Sequence, residues 1–145
     1  MKKSTRPSTR AKAFVDTSGF YALLVKDDRM HARAGEILER AAKSTGRFVT
    51  TDYVLDETAT LLNARGHGRL AEAFFQTVFA SQACQIEWMD PDRFARTRQF
   101  FLKHHDKSWS FTDCVSFLVM RDLGLRDALT TDAHFRQAGF NPLLV

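Results

Sequence analysis

The chain has 145 residues, 44% hydrophobic and 26% charged, which is typical of one globular domain with a single core. Seven glycines and three prolines are too few for a collagen-like or low-complexity chain. The longest apolar stretch, residues 114–120, is interrupted by Ser116 and is far shorter than the roughly 20 residues that a membrane-spanning helix requires.

The net charge of +4 is concentrated at the N-terminus. Five of the 21 basic residues fall within residues 1–12, so the rest of the chain carries 16 basic and 17 acidic residues. We therefore predict a flexible basic arm at 1–12 and one folded domain at 13–145. The arm is compatible with two roles, following phosphates or keeping the chain soluble.

Two features predict a cytoplasmic protein. The basic start is not followed by the apolar segment and small-residue cleavage site of a secretory signal. Cys84 and Cys114 lie in apolar segments without metal-ligand spacing, so we expect free thiols.

Short apolar runs alternate with longer segments of helical periodicity. Strands are predicted at 13–15, 47–51, 85–89 and 128–131, with a fifth at 143–145. Helices are predicted at 19–25, 31–44, 53–64, 69–81, 91–104, 112–123 and 133–138. Strands separated by helices predict an α/β fold, with a central parallel sheet of four to five strands flanked by helices on both faces.

Four apolar runs each end on an aspartate: Asp16, Asp52, Asp90 and Asp132. The carboxyl ends of parallel strands meet at one edge of a sheet, where open α/β folds place their ligands. Asp90 precedes a proline and a further acid, which is typical of a helix N-cap, and we expect Asp52 to be a cap as well. For Asp16 and Asp132, both capping and a functional role remain open.

The segment that follows Trp109 predicts a buried helix, because apolar residues fall on nearly all of its sides. Ser110 and Asp113 have the spacing of a capping box, which alone accounts for an acid at this position. A central helix would nevertheless begin at the edge where the strand carboxylates meet. Asp113 is therefore a candidate to join Asp16 and Asp132.

The predicted helix at 53–64 carries two neighbouring acids, Asp56 and Glu57. With a turn of about 100° per residue, Glu57 falls beside Leu61 on the flank of the apolar stripe, whereas Asp56 points farther from its centre. Helical geometry therefore favours Glu57 as the inward acid, with a solvated charge as the alternative.

Clustered carboxylates repel one another unless a cation lies between them. Oxygen donors without a Cys or His cluster favour Mg²⁺ or Mn²⁺ over zinc, and such ions commonly take phosphate oxygens as further ligands. A divalent ion can polarise a phosphoryl group and activate water for in-line displacement. The constellation therefore predicts hydrolysis of a phosphate ester by a nuclease.

Four segments in this order also resemble the PIN-domain ribonucleases, specifically the VapC-type toxins of type II (virulence-associated B/C) toxin–antitoxin pairs. They are FVDTSGFYALL from Phe14, TTDYVLDETATLL from Thr50, SFTDCVSFLVMRDLGL from Ser110 and ALTTDAHFRQAGF from Ala128. Together they extend over almost the whole chain.

The resemblance implies a Rossmann-like sheet and an acidic quartet of Asp16, Glu57, Asp113 and Asp132, which would be both catalytic and metal-binding. It also implies endonucleolytic cleavage of RNA with Mg²⁺, or Mn²⁺ as the alternative, leaving a 5′-phosphate and a 3′-hydroxyl. Structured RNAs such as tRNA or ribosomal RNA loops are common targets in the family. The partners implied are a cognate antitoxin and a second copy in a homodimer.

Several other polar residues have two interpretations. Thr17, Ser18 and Thr112 are candidates to orient water or the metal ligands, although capping and turn bonding explain them equally well. His134 is expected to be solvated at a helix start. The basic segment formed by Arg65, His67 and Arg69 fits an RNA contact or a plain helix connection.

Two other classes of function remain open on the residues alone. Asp16 at the end of the first strand also fits an aspartyl phosphoryl-transfer protein, although no lysine ends an apolar strand as that chemistry needs. A catalytically silent RNA- or antitoxin-binding module would need only the basic arm. Against it, clustered carboxylates repel RNA phosphates unless metal is bound.

Overall fold

Five short strands form one parallel sheet at the centre of the molecule. The computed structural model describes residues 11–44 and 46–145. The strands are β1 (Ala11–Val15), β2 (Arg47–Thr51), β3 (Cys84–Glu87), β4 (Asp127–Leu129) and β5 (Asn141–Pro142), in the spatial order β3-β2-β1-β4-β5. Every neighbouring pair is parallel.

Seven helices flank the sheet in the described part of the chain. They are α1 (Thr17–Leu24), α2 (His31–Ala42), α3 (Asp52–Ala64), α4 (Arg69–Ala80), α5 (Pro91–Lys103), α6 (Phe111–Leu123) and α7 (His134–Gln137). Each corresponds to a predicted helix, so the predicted α/β fold with a central parallel sheet is confirmed. None of these helices is long and apolar enough to span a membrane.

The core lies between the central strands and the helix that the sequence predicts to be buried. Phe14 of β1, Val49 of β2 and Leu129 of β4 are fully buried. In α6, every residue from Asp113 to Met120 is buried, which confirms that prediction. Because α6 crosses the core, its first turn is held firmly beside the carboxyl ends of the strands.

The strand order places a crevice between β1 and β4. From β1 the chain moves outward through β2 and β3, then returns to the other side of β1 for β4 and β5. Loops that leave β1 and β4 consequently diverge, and open α/β sheets bind their ligands in such crevices. Of the four strand-following aspartates, only Asp16 and Asp132 flank this crevice.

A glycine lets the first helix begin close to the neighbouring strand. A methyl group on Gly19 would overlap the carbonyl oxygen of Leu129 at the end of β4. Glycine has no such group, so α1 approaches β4 closely and its first turn, including Thr17 and Ser18, reaches the crevice.

The ends of the sheet differ from the prediction in two places. β1 begins at Ala11, and residues 1–10 of the predicted arm lie outside the described residues. The fifth strand was predicted at 143–145, but β5 is Asn141–Pro142. Pairing with β4 sets its position, whereas the apolarity of the following run reflects burial of Leu144, which is 3% exposed.

Candidate active site

Asp16 lies at the bottom of the crevice, directly after β1. It occupies the N-cap position of α1, yet its side chain makes no capping hydrogen bond. Instead, Oδ2 accepts a hydrogen bond of 2.9 Å from the hydroxyl of Thr130, which follows β4. Capping therefore does not explain this aspartate, and its carboxylate faces the β4 side of the crevice.

Thr130 joins the two strands that flank the crevice. Its fully buried hydroxyl donates to Asp16, accepts from the backbone N–H of Asp132 at 3.0 Å and lies 3.0 Å from the hydroxyl of Ser18. Ser18 in turn accepts from the backbone N–H of Thr131 at 2.9 Å. This network fixes the backbone that carries Asp132 relative to Asp16.

Glu57 enters the crevice from α3. Its Oε1 accepts a hydrogen bond of 2.7 Å from the hydroxyl of Thr17, whereas no side-chain hydrogen bond holds Asp56 among the described residues. Both acids are exposed, but only Glu57 lines the cavity beside Asp16. The structure thus agrees with the helical geometry that favoured Glu57 over Asp56.

Asp113 approaches from the start of α6. The predicted capping box is present: Asp113 N–H donates to the Ser110 hydroxyl at 3.0 Å, and Ser110 N–H donates to Asp113 Oδ2 at 3.1 Å. The same Oδ2 lies 3.6 Å from Nδ1 of His134, which is 3.3 Å from Oδ1 of Asp132. Asp113 therefore has both roles that the sequence left open, as a cap and as a neighbour of Asp132.

The environment of Asp16 and Asp113 favours the neutral forms of these two acids in the absence of a cation. Burial, the largest cause, raises the pKa of Asp16 to about 7, with smaller contributions from the negative charges of Asp113 and Glu57. Burial also raises the pKa of Asp113, and the charges of Asp132 and Glu57 add to this effect. Acids placed in this way are stabilised by a bound cation.

An open cavity of about 410 Å³ lies over the acids. Its wall includes Arg65, whose guanidinium lies 5.1 Å from the centre of the Tyr21 ring. Arg65 is the one basic residue among the described residues that line the cavity, which are Asp16, Thr17, Ser18, Tyr21, Asp28, Glu57, Leu61, Arg65, Thr131 and Asp132. Asp113 is not part of this lining, but its carboxylate and that of Asp132 both lie close to Nδ1 of His134.

Four polar residues with predicted roles meet different outcomes. Asp90 caps α5, accepting from Arg93 N–H at 2.7 Å, as predicted. The prediction that Asp52 caps α3 is wrong: Thr51 is the N-cap, and the Asp52 carboxylate accepts from Met89 N–H at 3.2 Å. Thr51 has an extended backbone, and its hydroxyl accepts the capping hydrogen bond from the N–H of Val54. The Thr112 hydroxyl makes no hydrogen bond within the described residues, whereas Thr17 contacts Glu57.

Sequence reasoning missed three residues at the site. Thr130 has no assigned role in its predicted strand, Asp28 lies in the loop after α1, just beyond the first motif, and His134 is expected to be solvated. The Asp-x-His spacing of Asp132 and His134 was a signal for the last of these. Nδ1 of His134 is buried and has no hydrogen-bond partner among the described residues.

The donors at the crevice fit a divalent cation. Carboxylates from the residue after β1, from α3, from α6 and from the turn after β4 converge there, and no lysine or arginine is paired with them in the described part of the chain. One ligand atom each from Asp113, Asp132 and His134 lies within 4.8 Å of the others. Carboxylate oxygens are preferred ligands of Mg²⁺ and Mn²⁺.

Comparison with known proteins shows the family of the chain. Residues 13–141 match the family model of the PIN domain. The chain is 34% identical over 127 residues, 88% of its length and 94% of the relative's, to the 23S rRNA-specific endonuclease VapC20 of Mycobacterium tuberculosis. It is 27% identical over 125 residues to a VapC ribonuclease of Archaeoglobus fulgidus, covering 85% of this chain and 78% of that protein.

A solved structure has the same fold. The crystal structure of VapC20 from Mycobacterium tuberculosis, described as a toxin that cleaves the sarcin–ricin loop, superposes with a TM-score of 0.79 at 32% identity. The match covers 89% of this chain and 96% of that one. The fold, the strand-end acids and these similarities lead to one conclusion: the chain belongs to the PIN-domain family, as a VapC-type member.

Proposed function

We propose that this chain is a divalent-metal-dependent endoribonuclease, the toxin of a toxin–antitoxin pair, which hydrolyses RNA phosphodiester bonds. Asp16, Glu57, Asp113 and Asp132 would hold Mg²⁺ or Mn²⁺. The observation that carries the proposal is the convergence of these acids from four separate elements without a lysine or arginine partner in the described residues. The ribonuclease names of two relatives support the same activity.

The chemistry divides between the ion and the chain. A bound cation would polarise the phosphoryl group and make water a stronger nucleophile. The chain orients the carboxylates: Thr130 holds Asp16, Thr17 holds Glu57, and the capping box holds Asp113. Because these partners are fixed by secondary structure, the acids reach the ligand with little reorganisation.

Arg65 gives the acidic crevice a contact for the substrate. Its guanidinium rests over Tyr21, which is 8% exposed, at the wall of the cavity. A cation in this position compensates the repulsion between the acids and an RNA phosphate next to the cleaved bond. The RNA would therefore enter across α3 and the start of α1.

The relatives narrow the substrate and partners that we propose. VapC20 of Mycobacterium tuberculosis is named for 23S rRNA, so a ribosomal RNA loop is the first substrate to test, with tRNA second. A cognate antitoxin and a homodimer belong to the same proposal. The expected cytoplasmic location fits it, and both cysteines are free thiols in the structure.

Mapping RNA ends tests the proposal. Purified wild-type protein and the Asp16→Asn variant are incubated with total RNA in Mg²⁺ or Mn²⁺, and new 5′-phosphate ends are sequenced. We expect a small set of sites that disappears in EDTA and with Asp16→Asn. Undiminished cutting in EDTA, or by the variant, would rule out the proposed mechanism.

A further inference from the structure

A histidine nitrogen lies between two of the acids and has no partner of its own. Nδ1 of His134 is buried, 3.3 Å from Oδ1 of Asp132 and 3.6 Å from Oδ2 of Asp113. Neither contact has the geometry of a hydrogen bond, and no other group of the described residues satisfies the nitrogen. A buried polar atom without a partner is costly, so its position calls for an explanation.

The imidazole ring is held in place from its other side. Nε2 lies 3.2 Å from the hydroxyl of Ser108, and the backbone N–H of His134 donates to Oδ1 of Asp132 at 2.8 Å. A ring whose Nε2–H donates to Ser108 has a lone pair on Nδ1, directed toward two carboxylates. Metal-binding histidines are commonly oriented by such a hydrogen bond on the second nitrogen.

We propose that Nδ1 of His134 is a ligand of the divalent cation, so that the site has mixed oxygen and nitrogen donors and binds Mn²⁺ in preference to Mg²⁺. This inference rests on the proposed function and specifies its metal. Mg²⁺ strongly favours oxygen ligands in proteins, whereas imidazole nitrogen suits first-row transition ions.

The distances are compatible with one shared ion. Ligand atoms about 2.1 Å from a metal lie roughly 3 Å apart when adjacent and about 4.2 Å apart when opposed. The distances from Nδ1 to the two carboxylate oxygens are 3.3 Å and 3.6 Å, and the whole group lies within 4.8 Å. Small side-chain rotations therefore suffice to close the three donors on an ion.

Pulsed electron paramagnetic resonance of bound Mn²⁺ tests this ligand directly, because a coordinated imidazole modulates the echo through its ¹⁴N nucleus. We expect ¹⁴N modulation in the wild-type protein and its loss in His134→Gln. His105→Gln is the matched control, since His105 is exposed on the loop after α5, and should retain the modulation. Absence of ¹⁴N modulation in wild type, or its persistence in His134→Gln, would overturn the proposal.

Metal affinities give a second readout that does not depend on RNA cleavage. His134→Gln should weaken Mn²⁺ binding about tenfold or more and Mg²⁺ binding much less. His134→Asp, which exchanges nitrogen for oxygen, should reverse the preference toward Mg²⁺ while the ion still binds. Equal losses for both ions, or a preference that is unchanged in either variant, would contradict nitrogen ligation.

The outcomes separate this inference from the proposed function. Bound Mn²⁺ without ¹⁴N modulation, together with metal-dependent RNA cleavage, would overturn nitrogen ligation and leave the nuclease intact. A wild-type protein that binds neither Mn²⁺ nor Mg²⁺ would overturn both. Melting in EDTA within about 2 °C of wild type is required of each variant before its affinities are compared.

Discussion

Two aspartates follow the strands on the β2–β3 side of the sheet, and two follow those on the β1–β4 side. Asp52 and Asp90 accept hydrogen bonds from the backbone N–H groups of Met89 and Arg93, which are fixed parts of the fold. Asp16 and Asp132 are linked through Thr130, and each lies near further acids. The same residue type at the same edge therefore fixes the fold on one side and borders the crevice of the proposed site on the other.

Helix α6 repeats this contrast along its own length. Asp122 near its end forms two hydrogen bonds with Arg96, at 2.9 Å and 3.0 Å, and this pairing lowers the pKa of Asp122. Burial and neighbouring acids instead raise the pKa of Asp113 at its start. Acids that an arginine neutralises need no other cation, whereas acids crowded together without one indicate a cation site.

The largest expected effect separates two neighbouring acids on α3. Glu57→Gln should reduce RNA cleavage by roughly 10³-fold, because it removes a proposed metal ligand, which would be worth several kcal/mol in the transition state. Asp56→Asn is the matched control and should stay within about threefold of wild type. Initial rates on one end-labelled RNA at saturating Mg²⁺ or Mn²⁺ measure both. Equal losses of cleavage rate in the two variants, with both folded, would show that Glu57 is not the acid by which α3 contributes to the site.

The next effect concerns the stability of the metal-free protein as a function of pH. The pKa of Asp16 is about 7 in the folded state against 3.8 for an ordinary aspartate. Well below pH 3.8 the Asp16 carboxyl is protonated in both the folded and the unfolded state, so it does not change the folding stability. As pH rises toward 7, the unfolded chain loses its proton first, so folding stability falls. Asp16→Asn removes this cost.

Urea unfolding of wild type and Asp16→Asn in EDTA measures that difference. The stability gained by the variant should grow between about pH 4 and pH 7 and reach at most about 4 kcal/mol. The other titrating groups are the same in both proteins, so their contributions cancel when the two free energies of unfolding are subtracted. Asp90→Asn, on the β3 side, should show no such growth. A gain from Asp16→Asn that is independent of pH would show that burial of Asp16 does not disfavour its charge.

A smaller effect is expected at the hydroxyl that joins the two strands. Thr130→Val keeps the shape of the side chain but leaves the Asp16 carboxylate and the Asp132 N–H without their partner. It should cost about 1–3 kcal/mol of folding stability and also reduce cleavage. Thr50→Val is the control, because Thr50 is a fully buried threonine of β2 whose hydroxyl donates to the Val15 carbonyl. This variant should lose folding stability and keep the kcat of wild type. Unchanged kcat for Thr130→Val would deny it a positioning role.

Periodicity and strand-end chemistry predicted much of the molecule. All seven helices, the parallel sheet, the buried α6 and the capping roles of Ser110 and Asp90 follow from local pattern and capping rules. The convergence of Asp16 and Asp132 followed from strand direction. The sequence similarity, rather than local pattern, selected Asp113 and Asp132 over simple caps.

What the pattern did not reveal depends on contacts between distant parts of the chain. Thr130 matters because β4 lies beside β1. This pairing brings Thr130 to Asp16, although the two residues are 114 positions apart in the sequence. The burial of His134 Nδ1 results from the approach of α6, and the position of β5 from pairing with β4. Asp52 and Thr51 are adjacent, and capping patterns in a sequence do not resolve which of two adjacent residues is the N-cap.

The metal-induced rise in melting temperature tests the central claim most directly, that the β1–β4 side of the sheet edge is a divalent-metal site and the β2–β3 side is not. Wild type, Asp132→Asn and Asp90→Asn are melted in EDTA and again in millimolar Mn²⁺ or Mg²⁺. We predict a rise of several degrees for wild type and Asp90→Asn, and a higher EDTA melting temperature with no rise for Asp132→Asn. A full rise in Asp132→Asn, or its loss in Asp90→Asn, would contradict the account.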